Sequence, residues 1–374
     1  MKVLKTILIV ILSLLLVVSG GLLAYGILNP SSAQEGGSTG AGDPPDMALF
    51  EGETHLDVSE TFGDKKASEE KKATDLMIQA AYNLINIKQF YFSARVDVKA
   101  GSQIAFSDYN YTRKGLDTFK RAQAYTGSLN TFVLRCYYID QKLENSGLSE
   151  YDFNTESWSY LVTSPDVTDK SNSKDAESPY FFYSVLDFPL DFGGKKAKVD
   201  DESKRTDEID YSLIDADSVK LEENKKGGYY TLEFKVLASK LNSSEEMKFR
   251  LSDTTTSKRM KDITFKDFTV KAEIWKESGV FRTLYYETNV NATLGSDSGD
   301  STIKKTMNFS YDDENCSVAR KIMSVKGKKD APVFYDALKD ANKAKCDAEI
   351  KALDEAAAEK AAKEEADKKE SDGE

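Results

Sequence analysis

Between Phe90 and Lys99 the chain changes character at every residue: Phe90, Phe92, Ala94, Val96 and Val98 alternate with Tyr91, Ser93, Arg95, Asp97 and Lys99. Successive side chains of a strand point to opposite faces, so this run gathers its apolar groups on one side only as β-structure. Similar runs follow at Gln103–Thr112, Thr118–Tyr125, Thr131–Ile139 and Ser157–Val162, separated by short breaks such as Gly127-Ser128 and Asn145-Ser146-Gly147. That cadence predicts an antiparallel meander, not strands alternating with helices. Strands resume at Ser218–Glu222 and Tyr229–Leu237, joined by the turn Asn224-Lys225-Lys226-Gly227-Gly228. The clearest hairpin pairs Phe265–Ile274 with Phe281–Ala292 through Lys276-Glu277-Ser278-Gly279. Phe268, Val270, Ala272 and Ile274 line one face of its first strand; Leu284, Tyr286, Thr288 and Val290 line one face of its second. A further strand is expected at Ile303–Tyr311.

Helical spacing flanks this β-rich stretch. Leu76, Ala80, Leu84 and Ile87 form one stripe of an amphipathic helix over Ala67–Lys88, expected to lie on a sheet. Ser178-Pro179 opens a short apolar helix through Leu186, between polar loops at Ser164–Glu177 and Gly193–Glu208. From Ala331 the chain turns helical again, with Val333, Phe334, Ala337, Leu338 and Ala341 available for docking. Beyond Ala356 its only apolar residues are alanines, and Glu359–Lys363, Glu364–Lys368 and Glu365–Lys369 stand at supportive four-residue spacings. A solvated helix that frays at its end is the expectation.

Ile7–Leu28 is a run of 22 residues without a charge. About 20 apolar residues cross a bilayer core as a helix. Lys2 and Lys5 precede the run, and Asn29–Asp64 carries eight acidic residues and no Lys or Arg. The positive-inside rule places the N-terminus in the cytoplasm and the domain outside the membrane. A cleaved signal peptide is the other reading: Ser31-Ser32-Ala33 is a small-x-small site, and cleavage after Ala33 would release the domain. Asn29–Lys66 reads as a flexible acidic linker. The expected organisation is residues 1–28 as anchor or signal, 29–66 as linker, 67–327 as the β-rich extracytoplasmic domain and 328–374 as a charged, partly disordered helical tail.

Composition narrows the chemistry. The 374 residues are 40% hydrophobic, and the formal net charge is −12, which disfavours nucleic acid as a partner because phosphate binding needs clustered Lys and Arg. The single histidine, His55, lies in the linker, so the domain can hold neither a His-based triad nor a multi-His zinc site. Cys136, Cys316 and Cys346 are far apart and form no C-x-x-C pair; a Cys136–Cys316 disulfide and free thiols are both open. No phosphate loop or nucleophile elbow is present, and Asp215-Ala216-Asp217 begins like a calcium loop but lacks its glycine and glutamate. No cofactor, no metal and no enzymatic activity are expected.

Tyr137-Tyr138-Ile139-Asp140-Gln141-Lys142 followed by Tyr151-Asp152-Phe153-Asn154-Thr155-Glu156-Ser157-Trp158 resembles the YY-x-D-G-K … Y-D … W hairpin of bacterial exported lipoprotein carriers of the LolA/LppX-like type, with Gln141 where the pattern has glycine. The resemblance covers about residues 67–323. It implies an α+β, mainly antiparallel β fold: a bent half-barrel-like sheet with packing helices, around an apolar cavity that holds acyl chains. Here a transmembrane helix would precede that sheet and a C-terminal helix would follow it.

The chain carries 19 Tyr, 19 Phe and 2 Trp. Trp158, Phe181, Phe182, Phe268, Trp275 and Tyr286 lie on or beside predicted apolar faces and are the candidates for lining a ligand cavity. The leading expectation is a membrane-tethered extracytoplasmic binding protein for a lipid or other hydrophobic ligand, its partners being the bilayer through residues 7–28, that ligand and a cell-envelope protein. Two alternatives are an envelope interaction or assembly module, and a carboxylate-dependent glycan hydrolase.

Overall fold

The computed structural model describes residues 42–50, 55–100, 103–114, 117–126, 131–140, 147–152, 157–162, 209, 211–243, 260–294, 297–325, 335–336, 338 and 340–371. Eleven strands form one open antiparallel sheet: β1 (Gln89–Ala100), β2 (Gln103–Lys114), β3 (Asp117–Thr126), β4 (Thr131–Asp140), β5 (Gly147–Asp152), β6 (Ser157–Val162), β7 (Lys220–Asn224), β8 (Tyr229–Val236), β9 (Met260–Trp275), β10 (Phe281–Leu294) and β11 (Asp297–Ser310). Their order is β6-β5-β4-β3-β2-β1-β11-β10-β9-β8-β7. With a few helices on it, the sheet makes the chain α+β and mainly antiparallel. Every strand expected from the sequence is present within a few residues, and β5 is an addition, since its polar-apolar mix (Gly147–Asp152) shows little alternation.

Two meanders are sewn together along one seam. The first runs from β1 to β6 and the second from β7 to β11. The seam is the pairing of β1 with β11, from Tyr91 opposite Ser310 to Ala100 opposite Ser301. Two glycines take the left-handed turn positions the hairpins need: Gly228 (φ 71°) between β7 and β8, and Gly279 (φ 61°) between β9 and β10.

Alternation places the core. Leu284 faces Ala272 and Met307; Tyr286 faces Val270 and Lys305; Thr288 faces Phe268 and Ile303. The expected apolar faces of the β9–β10 hairpin are thus one continuous face. Helix α2 (Glu69–Asn86) belongs to the same core, burying Leu76, Met77, Ala80, Ala81 and Leu84, with Ile87 buried just beyond its end. It starts and ends within two residues of the expected helix.

The acidic linker is shorter than expected. A 3-10 turn at Met47–Phe50 and helix α1 (Val58–Gly63) follow the chain's entry, and Phe50 and Val58 are buried in the same core as the sheet. Gly42 N–H donates to the Phe309 carbonyl at 2.9 Å, so docking begins at least there. The physical reason is a cluster of apolar groups, Met47, Leu49, Phe50, Val58 and Phe62, set among the acids and prolines without a regular period.

A second, smaller core joins helix α4 (Val318–Met323) to helix α5 (Asp340–Ser371) through Val318, Ala319, Ile322, Val325 and Cys346, with Leu338 packed against it. A third helix in chain order, α3 (Ala238–Ser243), follows β8 and buries Leu241. Helix α5 continues to Ser371, and its side chains past residue 350 are largely exposed, as expected of an alanine-only apolar content. Cys316 and Cys346 are buried and in no disulfide, so the Cys136–Cys316 disulfide is not formed. Among the described residues no helix is long and apolar enough to cross a membrane; Ile7–Leu28, the apolar helix expected at Pro179–Leu186 and the loop Gly193–Glu208 lie outside them.

Candidate functional site: an aromatic wall with two polar inserts

The main hydrophobic cluster among the described residues lies on the buried face of the sheet from β8 to β2. At its centre is a run of rings. Phe90 and Tyr111 stack with centroids 5.5 Å apart, Tyr111 and Phe92 at 5.6 Å, Phe92 and Phe309 at 5.4 Å tilted, and Phe309 and Phe281 at 5.7 Å. Aromatic pairs at such separations add attraction beyond their buried area. Farther along, Phe268 and Tyr286 stack at 5.9 Å with an interplanar angle of 14°. Phe62 of α1 stacks on Tyr230 of β8 at 4.0 Å, so the docked N-terminal segment covers one end of the wall.

The six sequence candidates divide. Phe268 and Tyr286 are on the wall, side by side and buried. Trp275 is not. It follows Ile274, whose side chain faces inward, and register pairs it with Tyr229 on the opposite face of the sheet. There it meets Tyr229 edge-on at 5.9 Å, and the Arg282 guanidinium lies 5.5 Å from its ring. The period of two decides this: a residue next to an inward one faces outward. Trp158 is on β6 opposite Tyr151, and its side chain is outside the described residues, as are Phe181 and Phe182 altogether.

Among the described residues, two fully buried polar side chains sit on this apolar face, and the half-buried Arg113 lies at its β2 margin over the Phe90 ring. Lys305 of β11 is 1% exposed, opposite Val96 of β1 and Tyr286 of β10, and its ammonium lies 5.9 Å from the Tyr286 ring centroid. Thr288 of β10, two residues from Tyr286, is 4% exposed, and its hydroxyl has no hydrogen-bond partner among the described residues. Sequence reading missed Lys305, although a signal was there. In Ile303, Lys305, Met307, Phe309 and Tyr311, a cation occupies a place where the alternation calls for an apolar group.

Beside the Trp275–Tyr229 pair, the other face of β7 to β11 carries a ladder of charge. Glu233 accepts from Lys220 at 3.0 Å and Lys271 at 2.7 Å, and these bonds hold its carboxyl below the usual range. Glu287 is bonded by Lys304 at 2.9 Å and by the Tyr285 hydroxyl at 2.7 Å, and its pKa is lowered too. Partial burial, with the Glu287 charge beside it, pushes the Tyr285 phenol up to about 12.

At the turn end of the β9–β10 hairpin, a polar staple fixes the N-terminal segment. The Asn83 side chain donates to the Leu56 carbonyl at 2.9 Å and to the Gly279 carbonyl at 3.3 Å, and accepts from Leu56 N–H at 2.8 Å. His55 Nε2 donates to the Ser278 carbonyl at 3.0 Å. The only histidine of the chain is therefore a structural strut.

No group of His, Cys, Asp or Glu among the described residues is placed to hold a metal. Asp300 is bonded to Lys266 and Asn291 instead. A depression of about 440 Å³ runs along α5 beside Asp347, Ile350, Asp354 and Ala358, but it is open to solvent and all its walls come from one helix.

No family model matches the chain, and no curated protein matches it. Among solved structures it is similar to lipovitellin, in a structure titled for lipid–protein interactions, with TM-score 0.23 and 9% identity over 59% of this chain and 24% of that one. It is also similar to a DUF1329 family protein from Desulfovibrio piger, with TM-score 0.22 and 10% identity over 68% of this chain and 99% of that one. The chain thus spans about a quarter of the lipovitellin chain and nearly all of the other. Likenesses of this size carry no argument about function.

Proposed function

We propose that this protein is a membrane-tethered extracytoplasmic binding protein whose sheet curves around α2 as a half-barrel and holds a lipid or other hydrophobic ligand. The observation that carries this reading is the aromatic wall: a ring-stacked, apolar face across six neighbouring strands, from β8 to β2, with a helix laid against part of it. Ligand sites for apolar molecules are largely apolar and aromatic, with a few placed polar groups. In this reading residues 7–28 hold the protein in the bilayer with the domain outside the cytoplasm, and the protein acts by binding, not by turnover.

The test is mass spectrometry of small molecules that co-purify with the full-length protein extracted from membranes, beside a control single-span protein purified in the same detergent. One recurring lipid at near-stoichiometric amount, absent from the control, is the expected result. A bare protein would sink the reading and favour the envelope-interaction alternative.

A further inference from the structure

We infer that the face of β2–β6 turned away from α2 is a membrane-resting surface, seated in the headgroup layer of the bilayer that holds the N-terminal segment. This rests on the proposed tethered reading and adds which side of the domain meets the lipid.

Strand register carries the inference. Arg95 of β1 belongs to a row of opposed residues that crosses all eleven strands. Toward β7 the row passes through Tyr285, Lys271 and Glu233 and ends at Lys220. Toward β6 it passes through Leu134 and Tyr151 and ends at Trp158. Opposed residues share a face of an antiparallel sheet, and neighbours along a strand alternate between faces. Arg95 is next to the inward Ala94, so the row belongs to the face away from α2. In the next row, Asp97 leads through Phe106 and Tyr125 to Phe132. One face thus carries paired charges over β7–β11 and rows of aromatic positions over β2–β6. The solvated face of an antiparallel sheet is ordinarily polar, and contiguous apolar positions there mark a surface that meets something other than water.

Two observations select lipid as the partner. One is residue type: Trp and Tyr, each an apolar ring with a polar handle, are the residues of the bilayer's interfacial layer. The other is where the tether joins the domain. Gly42 N–H donates to the Phe309 carbonyl, and a Cβ on Gly42 would come within 2.9 Å of Ser310 Oγ. Ser310 is opposite Tyr91, on the same face as Arg95 and Asp97. The chain therefore departs toward its anchor on this face. Residues 29–41 separate Leu28 from Gly42. A Gly/Ser-rich stretch of that length spans about 20 Å on average. Helix α4 sits at the Tyr91 end of the face, with the Lys321 ammonium 4.2 Å from the Tyr91 ring centroid. The aromatic rows lie about 13–20 Å farther along the strands, within the tether's reach. With a net charge of −12, the protein fits zwitterionic headgroups, since anionic ones repel it.

The chain has only two tryptophans, Trp158 on the proposed surface and Trp275 beside Arg282, and they supply the test. Full-length protein is placed in phosphatidylcholine nanodiscs, with or without bromine on the upper part of one acyl chain, and tryptophan emission is compared. Trp275→Phe, which leaves Trp158, should dim by about twofold or more in brominated discs, as a ring in the interfacial layer would. Trp158→Phe, which leaves Trp275, should hold its emission. Should Trp275→Phe fail to fold, the unchanged protein and Trp158→Phe still decide, because the quenching must vanish with Trp158.

Unchanged emission from Trp158 overturns the lipid contact and favours a protein partner for this face. Quenching of Trp275 as strong as that of Trp158 overturns the placing of the contact on β2–β6. Alkaline washing of membranes that hold the full-length protein checks the tether separately. Retention in the membrane pellet without quenching of Trp158 removes this inference and spares the tether; release into the wash removes both.

Discussion

The two faces of the central strands are made from the same stretches of chain and behave as different materials. On β10, Leu284, Tyr286, Thr288 and Val290 are buried, whereas Thr283, Tyr285, Glu287 and Asn289 are partly open to solvent. One face coheres by aromatic and aliphatic packing. The other is held by ion pairs such as Lys220–Glu233–Lys271 and Lys304–Glu287. An antiparallel sheet tolerates this asymmetry because only one of its faces must leave water. The lesson is that the energy of the domain lies on the wall, and that a charge there, as at Lys305, calls for a reason that a charge on the outer face does not.

Substitutions that act on one face at a time sharpen this contrast. Phe309→Ala empties the centre of the wall between Phe92 and Phe281 and is expected to cost about 3–5 kcal/mol of stability. Denaturant unfolding measures it, and a loss under about 1 kcal/mol would mean that the wall collapses onto the gap or was never tightly packed. Asn83→Ala removes the staple and leaves Leu56 N–H and two carbonyls unpaired, an expected loss of about 1–3 kcal/mol. Hydrogen exchange should then rise in residues 55–63 before it rises in β9 and β10. Uniform acceleration would show that the docked segment and the sheet open together.

Across the sheet, Glu233→Gln should cost about 0–1 kcal/mol, since its lysines are well exposed and solvent screens the pair. Its effect is also tied to pH. The folded pKa of Glu233 is lowered, so its contribution is present above the ordinary glutamate range and is lost as pH falls through it. The variant should therefore flatten the acid limb of the stability profile, and an unchanged acid limb would contradict the pairing.

Smallest is the alkaline effect of Tyr285. Its pKa is raised to about 12, so its contribution is whole below the ordinary tyrosine pKa and fades as pH climbs towards 12. In the ultraviolet titration of phenolate, Tyr285→Phe should remove one late-ionising tyrosine. Loss of an early-ionising one would place Tyr285 in a more open setting.

Much of the fold was legible because strands announce themselves by alternation and hairpins by their turns. Phe265–Ile274 and Phe281–Ala292 were readable as a pair with matching faces, and the structure pairs them, with Tyr286 opposite Val270. Helix α2 was readable from its stripe. The docked segments at residues 42–50 and 55–63 were not, because Phe50, Val58 and Phe62 follow no period and lie among acids and prolines. For the candidate site, the burial of Phe268, Tyr286 and Trp275 followed from the pattern, while the buried cation at Lys305 did not.

By itself the sequence determined which segments are strands, which residues share a face of each, and that one long uncharged run, Ile7–Leu28, stands before an acidic, base-free stretch. Those properties are local: they depend on spacing along the chain. Only the tertiary structure decided that β1 closes onto β11, bringing Phe92 against Phe309 across 217 positions of sequence. Only it placed Lys305 between Val96 and Tyr286, inside the wall. Pairing between distant strands is chosen by the summed burial of whole faces, a quantity no local pattern contains.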